Sequence, residues 1–469
     1  MIWNNFSDIS KYVMLIMMSF YTFGCFIVLA KRMSESSREF VFLSQDVFML
    51  MLHLNGFLVL YDSTGDVRIL IFYLAQLVFF LVVLTAFHNL YRGVSKLLIN
   101  NMCMLLVIGF IILTRLSFYQ AIRQFAFAVV GMTMTLIVPF LIKRVTFIRN
   151  LSWLYGIIGI LILATVAALG NTSNGANISI TIADITLQPA EFVKILFVFF
   201  VAGMYYHSID FKQVVITTIL AALHVMVLVL SRDLGGALIL FVVYILMLYF
   251  VTAKLFYLAA GILSGALASV IAYRLFSHVQ TRVIAWLDPI SVIENEGYQI
   301  AQSLFAIGSG KWFGLGLYQG MPNKIPVVEQ DFIYSAISEE MGALFGFCVI
   351  LVCLSSLLMF LNISMQLTDG FYRLVALGLG IIYGFQIFLT IGGAIKLIPS
   401  TGVTLPLVSY GGSSLFSTMI IFAIIQGFYI IREDRQRVRE EHRNEKKESG
   451  ETNKTDRKKT GFDTDIQQL

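Results

Sequence analysis

Runs of about 20 apolar residues, long enough to cross a ~30 Å hydrocarbon core as helices, recur along most of this 469-residue chain. Hydrocarbon offers no hydrogen-bond partner to a backbone N–H or C=O, so each run must satisfy its own backbone as a helix. Composition agrees, since charged residues are 13% of the chain and hydrophobic residues 58%. A string of soluble domains is excluded. Length and periodicity place thirteen spans, near 12–30, 44–61, 69–91, 102–119, 124–142, 152–170, 190–206, 213–230, 234–251, 255–275, 333–361, 372–395 and 405–431. The reading is an all-α polytopic membrane protein.

Loop cations orient the spans. Lys31, Arg32 and Arg38 follow the first span, Arg92 and Lys96 the third, and Lys143, Arg144 and Arg149 the fifth. These loops and the tail are expected in the cytoplasm. The amino terminus, the loops at 171–189 and 276–332, the link Ser231–Asp233 and the turn 396–404 are expected outside. Arg115 and Arg123 break the pattern, either as tolerated exceptions or as an anion-binding rim. The tail from Arg432 mixes both charge signs without apolar periodicity, so disorder is expected beyond Arg443. Its first arginines suit an anionic inner leaflet. The net charge of +5 therefore needs no nucleic-acid partner. Cys25, Cys103, Cys348 and Cys353 lie in apolar runs without metal-ligand spacing and read as small core hydrophobes. The first run is long enough to span and shows no cleavage pattern, so no cleaved signal is expected.

One stretch contradicts its apolar surroundings. Residues 399–415, PSTGVTLPLVSYGGSSL, lead into the last span yet are rich in Pro, Gly, Ser and Thr. Such backbone survives at membrane depth only against protein or a wet cavity. In QPAEFVK (188–194), Glu191 and Lys194 share one helix face, as a neutralising pair or as the wall of a site. Asp233 opens the ninth span, where an acid complements the helix dipole or serves chemistry.

The loop 276–332 is longer than a connection requires. It carries Trp286, Tyr298, Phe305, Trp312, Phe313, Tyr318 and the glycine-rich GSGKWFGLG (308–316), which suggests a re-entrant or interfacial segment. The glycine spacing matches no nucleotide motif. The loop ends at Asp331, where polar loop meets membrane helix. A carboxylate there is either a helix cap or a partly desolvated general base.

Taken together, these motifs resemble the SEDS family, the FtsW/RodA group of peptidoglycan glycosyltransferases. The resemblance covers roughly residues 100–432. It rests on 399–415, on QPAEFVK, and on DLG (233–235), WLDP (286–289), GYQIAQSLFAIGSGKWFGLGL (297–317) and DFIYSAISEEMG (331–342). It implies a ten-span bundle (96–432) preceded by three additional transmembrane helices (1–95) and followed by a charged cytoplasmic tail (433–469). The implied activity is polymerisation of lipid II at the outer face of the cytoplasmic membrane, with Asp331 as the catalytic acidic residue. Implied partners are a class B penicillin-binding transpeptidase and other divisome or elongasome membrane proteins. The chain departs from the family pattern at Ala190, Pro326-Val327 and Thr390.

A pyrophosphate leaving group needs charge neutralisation, and a sugar hydroxyl needs a base. Asp331 is the expected base. Lys194, Arg282 and Lys324 are candidates to hold pyrophosphate oxygens. Glu191, Asp233, Gln299, Ser409, Tyr410 and Ser413 complete the candidate substrate-binding set, and a divalent cation could share the neutralisation. The rival readings are a lipid-precursor flippase or transporter, whose polar helix breaks would look similar, and a silent scaffold. The orientation is testable by cysteine substitution with an impermeant thiol reagent in intact cells. Positions 331 and 400 should label, and positions 149, 207 and 439 should not. Labelling at 439 would overturn the orientation.

Overall fold

The computed structural model describes residues 4–30, 33–91, 93–144, 147–173, 176–182 and 185–462. Lys31, Arg32 and Arg92, three of the cations used for orientation, lie outside them. Thirteen described helices are long and apolar enough to cross a membrane. They are α1 (Asn4–Leu29), α2 (Glu35–Thr64), α3 (Val67–Leu90), α4 (Lys96–Leu116), α5 (Phe118–Arg144), α6 (Ser152–Leu169) and α7 (Ala190–His207). They continue with α8 (Phe211–Leu230), α9 (Leu234–Thr252) and α10 (Leu255–Leu275). After the shorter α11 (Ser277–Leu287), α12 (Tyr298–Gly310) and α13 (Ile333–Met341) come α14 (Ala343–Gln366), α15 (Gly370–Ala394) and α16 (Gly412–Phe462).

Helix α4 is the axis. Every residue from 97 to 114 is buried, as befits a helix apolar on all sides. It packs against α2, α3, α5, α13, α14 and α16. Its buried Asn101 joins helices distant in sequence: Oδ1 accepts from Tyr21 Oη (3.0 Å) and Cys25 Sγ (3.2 Å), while Nδ2 donates to Ser355 Oγ (2.7 Å) and Ser356 Oγ (3.0 Å). Polar side chains shared between helices are common glue in membrane bundles, worth about 1 kcal/mol each. At the periphery, α10 approaches α9 through Gly261 and Gly265, where a Cβ would meet Ile245 at 2.7 Å and Phe241 at 2.8 Å.

Four features differ from the sequence expectation. Three strands, β1 (Asn171–Ser173), β2 (Ala176–Ile182) and β3 (Ile185–Leu187), form an antiparallel sheet in the order β1-β2-β3. Alternating isoleucine with Thr and Ser in NISITI suits a half-covered strand better than an irregular loop. The span expected at 333–361 is two helices, α13 and α14, divided at Gly342. This glycine has φ +93°, and a Cβ on it would lie 2.4 Å from Gly314 N. The last span begins at Gly412 rather than 405, because Leu405–Gly411 belongs to the polar turn. The α16 backbone stays helical to Phe462, past Arg443. The disorder expected beyond Arg443 is therefore contradicted by the backbone as far as Phe462; side chains after 443 and residues 463–469 lie outside the description.

The sheet, the 231–233 link, α11–α13 and the 396–411 turn meet at one end of the bundle. At the other end Arg149 pairs with Asp369 (3.9 Å) and Lys143 with Asp434 (2.5 Å). Gly342→Ala should cost about 2 kcal/mol or more, since it adds both backbone strain and a backbone clash. A clearly lower unfolding temperature of the detergent-purified variant would show this, and an unchanged temperature would contradict the close approach.

Candidate active site

Four separate segments and the 401–404 turn build one partly open cleft at the loop-rich end. The first is the start of α7. Pro189 precedes the helix, where its missing N–H costs nothing, so Glu191 enters on the first turn and Lys194 one turn later. Lys194 is only 4% exposed. Its Nζ donates to Glu191 Oε1 (2.7 Å) and reaches Gln386 Oε1 (3.5 Å), while Ser417 Oγ donates to Glu191 Oε2 (3.1 Å). The pair is thus both mutually neutralising and part of the cleft wall.

The second segment is the start of α9. Arg232 takes φ +63°, which turns the chain so that Asp233 caps the helix, its Oδ1 accepting from Gly236 N (2.8 Å). Burial pushes the Asp233 carboxyl up from its usual value, and the Gly236 bond and Lys194 oppose this. Asp233 takes the helix-start role and also lines the cleft. Gly235 lets α9 touch the turn, because a Cβ there would sit 3.0 Å from Thr401 O.

The third segment is α11, which brings Arg282. Burial lowers its pKa, and Asp331 and Asp233 raise it again. The fourth segment carries Asp331, beside the 399–404 turn. Gly402, at φ +74°, allows the closest approach: a Cβ on it would lie 3.6 Å from Arg282 Nη2 and 3.7 Å from Asp331 Oδ2. Both charges therefore converge on one point.

Asp331 does not cap α13. The cap position is Phe332, without a side-chain bond, and no hydrogen bond ties the Asp331 carboxylate among the described residues. Its backbone is held instead. Ser409 Oγ donates to Gln330 O (2.5 Å), and Tyr410 N donates to Glu329 O (2.8 Å). Burial lifts the Asp331 carboxyl to about 6, with Arg282 opposing and Glu329 assisting. A fixed backbone with a free, desolvated carboxylate suits proton transfer.

Among the sequence candidates, Asp331, Lys194, Glu191, Arg282 and Asp233 line the cleft. Ser409, Tyr410 and Ser413 do not. Ser409 and Tyr410 pin 329–330 from behind, and Ser413 Oγ accepts from Gln188 N (2.9 Å). Lys324 and Gln299 are exposed on the 276–332 segment and line no part of the cleft. Sequence reasoning missed Thr401, Gln330 and Arg232 as wall residues. Thr401 Oγ1 is buried with no partner, and a position two residues after a proline in the polar turn was the available signal. Arg115 is no rim. It lies in a buried pair with Glu340 (2.9 Å) and stacks on Tyr318 at 4.2 Å. No three His, Cys, Asp or Glu side chains among the described residues come close enough to hold a metal ion.

A membrane-spanning bundle with three carboxylates and three cations around one partly open cleft has the groups that a polytopic membrane enzyme would use. Comparison specifies which. The family model for FtsW, RodA and SpoVE, described as "Cell cycle protein", matches residues 95–433, the last ten spans. The peptidoglycan glycosyltransferase RodA of Mycobacterium tuberculosis (strain ATCC 25618 / H37Rv) is 32% identical over 325 residues, 65% of this chain and 69% of that protein. The probable peptidoglycan glycosyltransferase FtsW of Halorhodospira halophila is 35% identical over 321 residues, 64% of this chain and 79% of that one. A solved structure described as "Structural coordination of polymerization and crosslinking by a peptidoglycan synthase complex" contains a chain that aligns with TM-score 0.63. The identity is 23%, over 73% of this chain and 99% of that one. The rod shape determining protein RodA of Thermus thermophilus aligns with TM-score 0.54 at 22% identity, over 73% and 98%. The chain belongs to the FtsW/RodA/SpoVE family, the SEDS family that its motifs resemble.

The raised Asp331 value has a stability consequence. A folded value near 6 against the usual 3.8 means that folding favours the protonated acid. That contribution is full below about pH 4 and is lost as pH rises through about 6. Asp331→Asn should therefore unfold at the same temperature as wild type near pH 4 and several degrees higher at pH 7.5. Coincident curves at both pH values would refute the buried charge.

Proposed function

We infer that this protein is a peptidoglycan glycosyltransferase that polymerises lipid II into glycan strands. The observation carrying this is the convergence of Asp331 and Arg282 on Gly402, opposite the Glu191–Lys194 pair and Asp233. Asp331 takes the proton of the acceptor sugar hydroxyl. The freed oxygen attacks the donor's anomeric carbon as the bond from that carbon to pyrophosphate breaks, with inversion. Undecaprenyl pyrophosphate leaves carrying the electron pair, and Asp331 later returns the proton to water. Arg282, Arg232 and Lys194 hold the pyrophosphate oxygens, where fixed cations in a poorly hydrated cleft act strongly. Glu191 and Asp233 keep these cations in place.

The loop cations support an external cleft and a cytoplasmic carboxyl terminus. Several of the relatives are named as glycosyltransferases, and one matched structure is described as a complex for polymerisation and crosslinking. These support a crosslinking transpeptidase as partner here, during division or elongation.

Asp331→Asn keeps size and hydrogen bonding but accepts no proton. Polymerisation of labelled lipid II by the purified variant should fall on the order of 10²-fold or more. The wild-type rate should decline as pH drops through about 6, as the base protonates. Variant activity within a few-fold of wild type removes Asp331 as the base, and lipid movement between leaflets without strand synthesis would favour the transporter reading.

A further inference from the structure

The three spans before residue 95 lie outside the family match, yet the first of them touches the loop that backs the catalytic carboxylate. Helix α1 packs on α14 as well as on α2. It is tied at mid-helix by Tyr21 and Cys25 to Asn101, and nearer its start by Ser19 Oγ to Cys348 Sγ of α14 (3.9 Å). One turn before Met14 it meets the glycine-rich loop. Lys11 Nζ, with a side chain only 14% exposed, donates to Gly314 O (3.3 Å), and the Tyr12 ring lies 5.6 Å from that of Phe313. Asp8 is the acid that faces Lys11, at 3.6 Å, and it is itself largely exposed.

The contacted segment is not a free loop. Residues 311–316 run along 339–344 with four backbone bonds: Leu315 N to Glu339 O (3.0 Å), Gly316 N to Glu340 O (2.8 Å), Ala343 N to Lys311 O (2.9 Å) and Leu344 N to Trp312 O (3.2 Å). The two strips are so close that a Cβ on Gly314 would lie 2.4 Å from Glu340 O. Farther along, Tyr318 N donates to Glu340 Oε1 (3.1 Å) and Met321 N to Glu339 Oε1 (2.9 Å). Glu339 and Glu340 are the penultimate residues of α13, a helix of nine residues that starts two positions after Asp331. The 311–316 strip is thus joined to the last turn of α13, the helix that begins two positions after Asp331.

We propose that Lys11 and Tyr12 are positioning residues of the active site: α1 holds the 311–316 strip and, through α13, sets where the Asp331 carboxylate stands. Neither residue touches the cleft. Misplacement of a catalytic group by about 1 Å costs on the order of 10²-fold in rate, so a partial slackening should cost less but remain measurable. The proposal rests on Asp331 as the base, and it gives the added spans a part in catalysis rather than in docking alone.

The test uses the full-length purified protein and labelled lipid II. Lys11→Ala combined with Tyr12→Ala should lower kcat about 5- to 20-fold with KM within two-fold. Lys11→Arg combined with Tyr12→Phe, which keeps a donor and a ring, should restore kcat to within two-fold. Activity is normalised to folded protein, and unfolding temperature is measured alongside. A double-alanine variant with lower unfolding temperature and unchanged kcat would make the contact structural only and overturn the proposal. A second variant guards against poor folding: Tyr12→Cys with Phe313→Cys, cross-linked by a short bifunctional thiol reagent. Full activity when cross-linked supports a permanent brace, and loss on cross-linking that returns on cleavage of the linker overturns it. Asp331→Asn run in parallel separates the failures. If that variant is active, the base assignment has failed. If it is dead while the double-alanine variant is unaffected, only the brace has failed.

Discussion

The 399–411 turn has to leave helical geometry inside the bundle, and the fold is arranged to satisfy the backbone this exposes. Gln386 Nε2 donates to Thr404 O (3.2 Å), Thr390 Oγ1 to Val403 O (2.8 Å) and Gln124 Nε2 to Ser409 O (3.0 Å), while Gln124 Oε1 accepts from Gly411 N (3.2 Å). Ser409 Oγ accepts from Leu405 N (2.9 Å) and donates to Gln330 O. Each orphaned group in such a medium would cost several kcal/mol. The donors come from α5 and α15, so the turn locks those helices around itself. Gly109 of the central helix completes the seat, since a Cβ there would press within 2.8 Å of Val408 O.

That seat is also what makes the site. The same turn offers Gly402 to the cleft and holds the 329–330 peptides from behind. Asp331 is therefore fixed through its backbone and left free at its carboxylate. A carboxylate locked by its own hydrogen bonds would be a weaker base, because bonds to the charged form depress its pKa. The Glu191–Lys194–Gln386 chain links the opposite wall to Thr404 of the same turn through Gln386. One polar element thus sets both walls.

The added helices change the centre of the molecule. With α2 and α3 packed on it, α4 has no lipid-facing side, and its Asn100, Asn101 and Thr114 are all buried. Asn101 would be costly facing lipid. Here it accepts from α1 and donates to α14, so the polar residue makes physical sense only in the presence of the helices that precede it.

Much of this was legible in the residues. Apolar run lengths determine thirteen helices because a run of about 20 apolar residues satisfies its own backbone in hydrocarbon as a helix. The charged and broken motifs at 188–194, 233 and 399–415 mark the site because polar groups at such depth must have partners. Tertiary structure alone decided the rest. Cap and base are both compatible with an Asp at a helix start, and it takes the placement of Phe332 at the cap to remove the first reading; the base remains the proposal. Ser409, Tyr410 and Ser413 are polar residues of a site motif, yet they face its supports, a matter of side-chain direction that spacing does not encode. Lys324 shares a loop with Arg282, but the fold carries one into the cleft and the other to the surface. Run length could not show the division at Gly342, because the break depends on Gly314 approaching from far along the chain. The contact of Lys11 with that same segment, some 300 positions away, likewise exists only once α1 and α14 are packed.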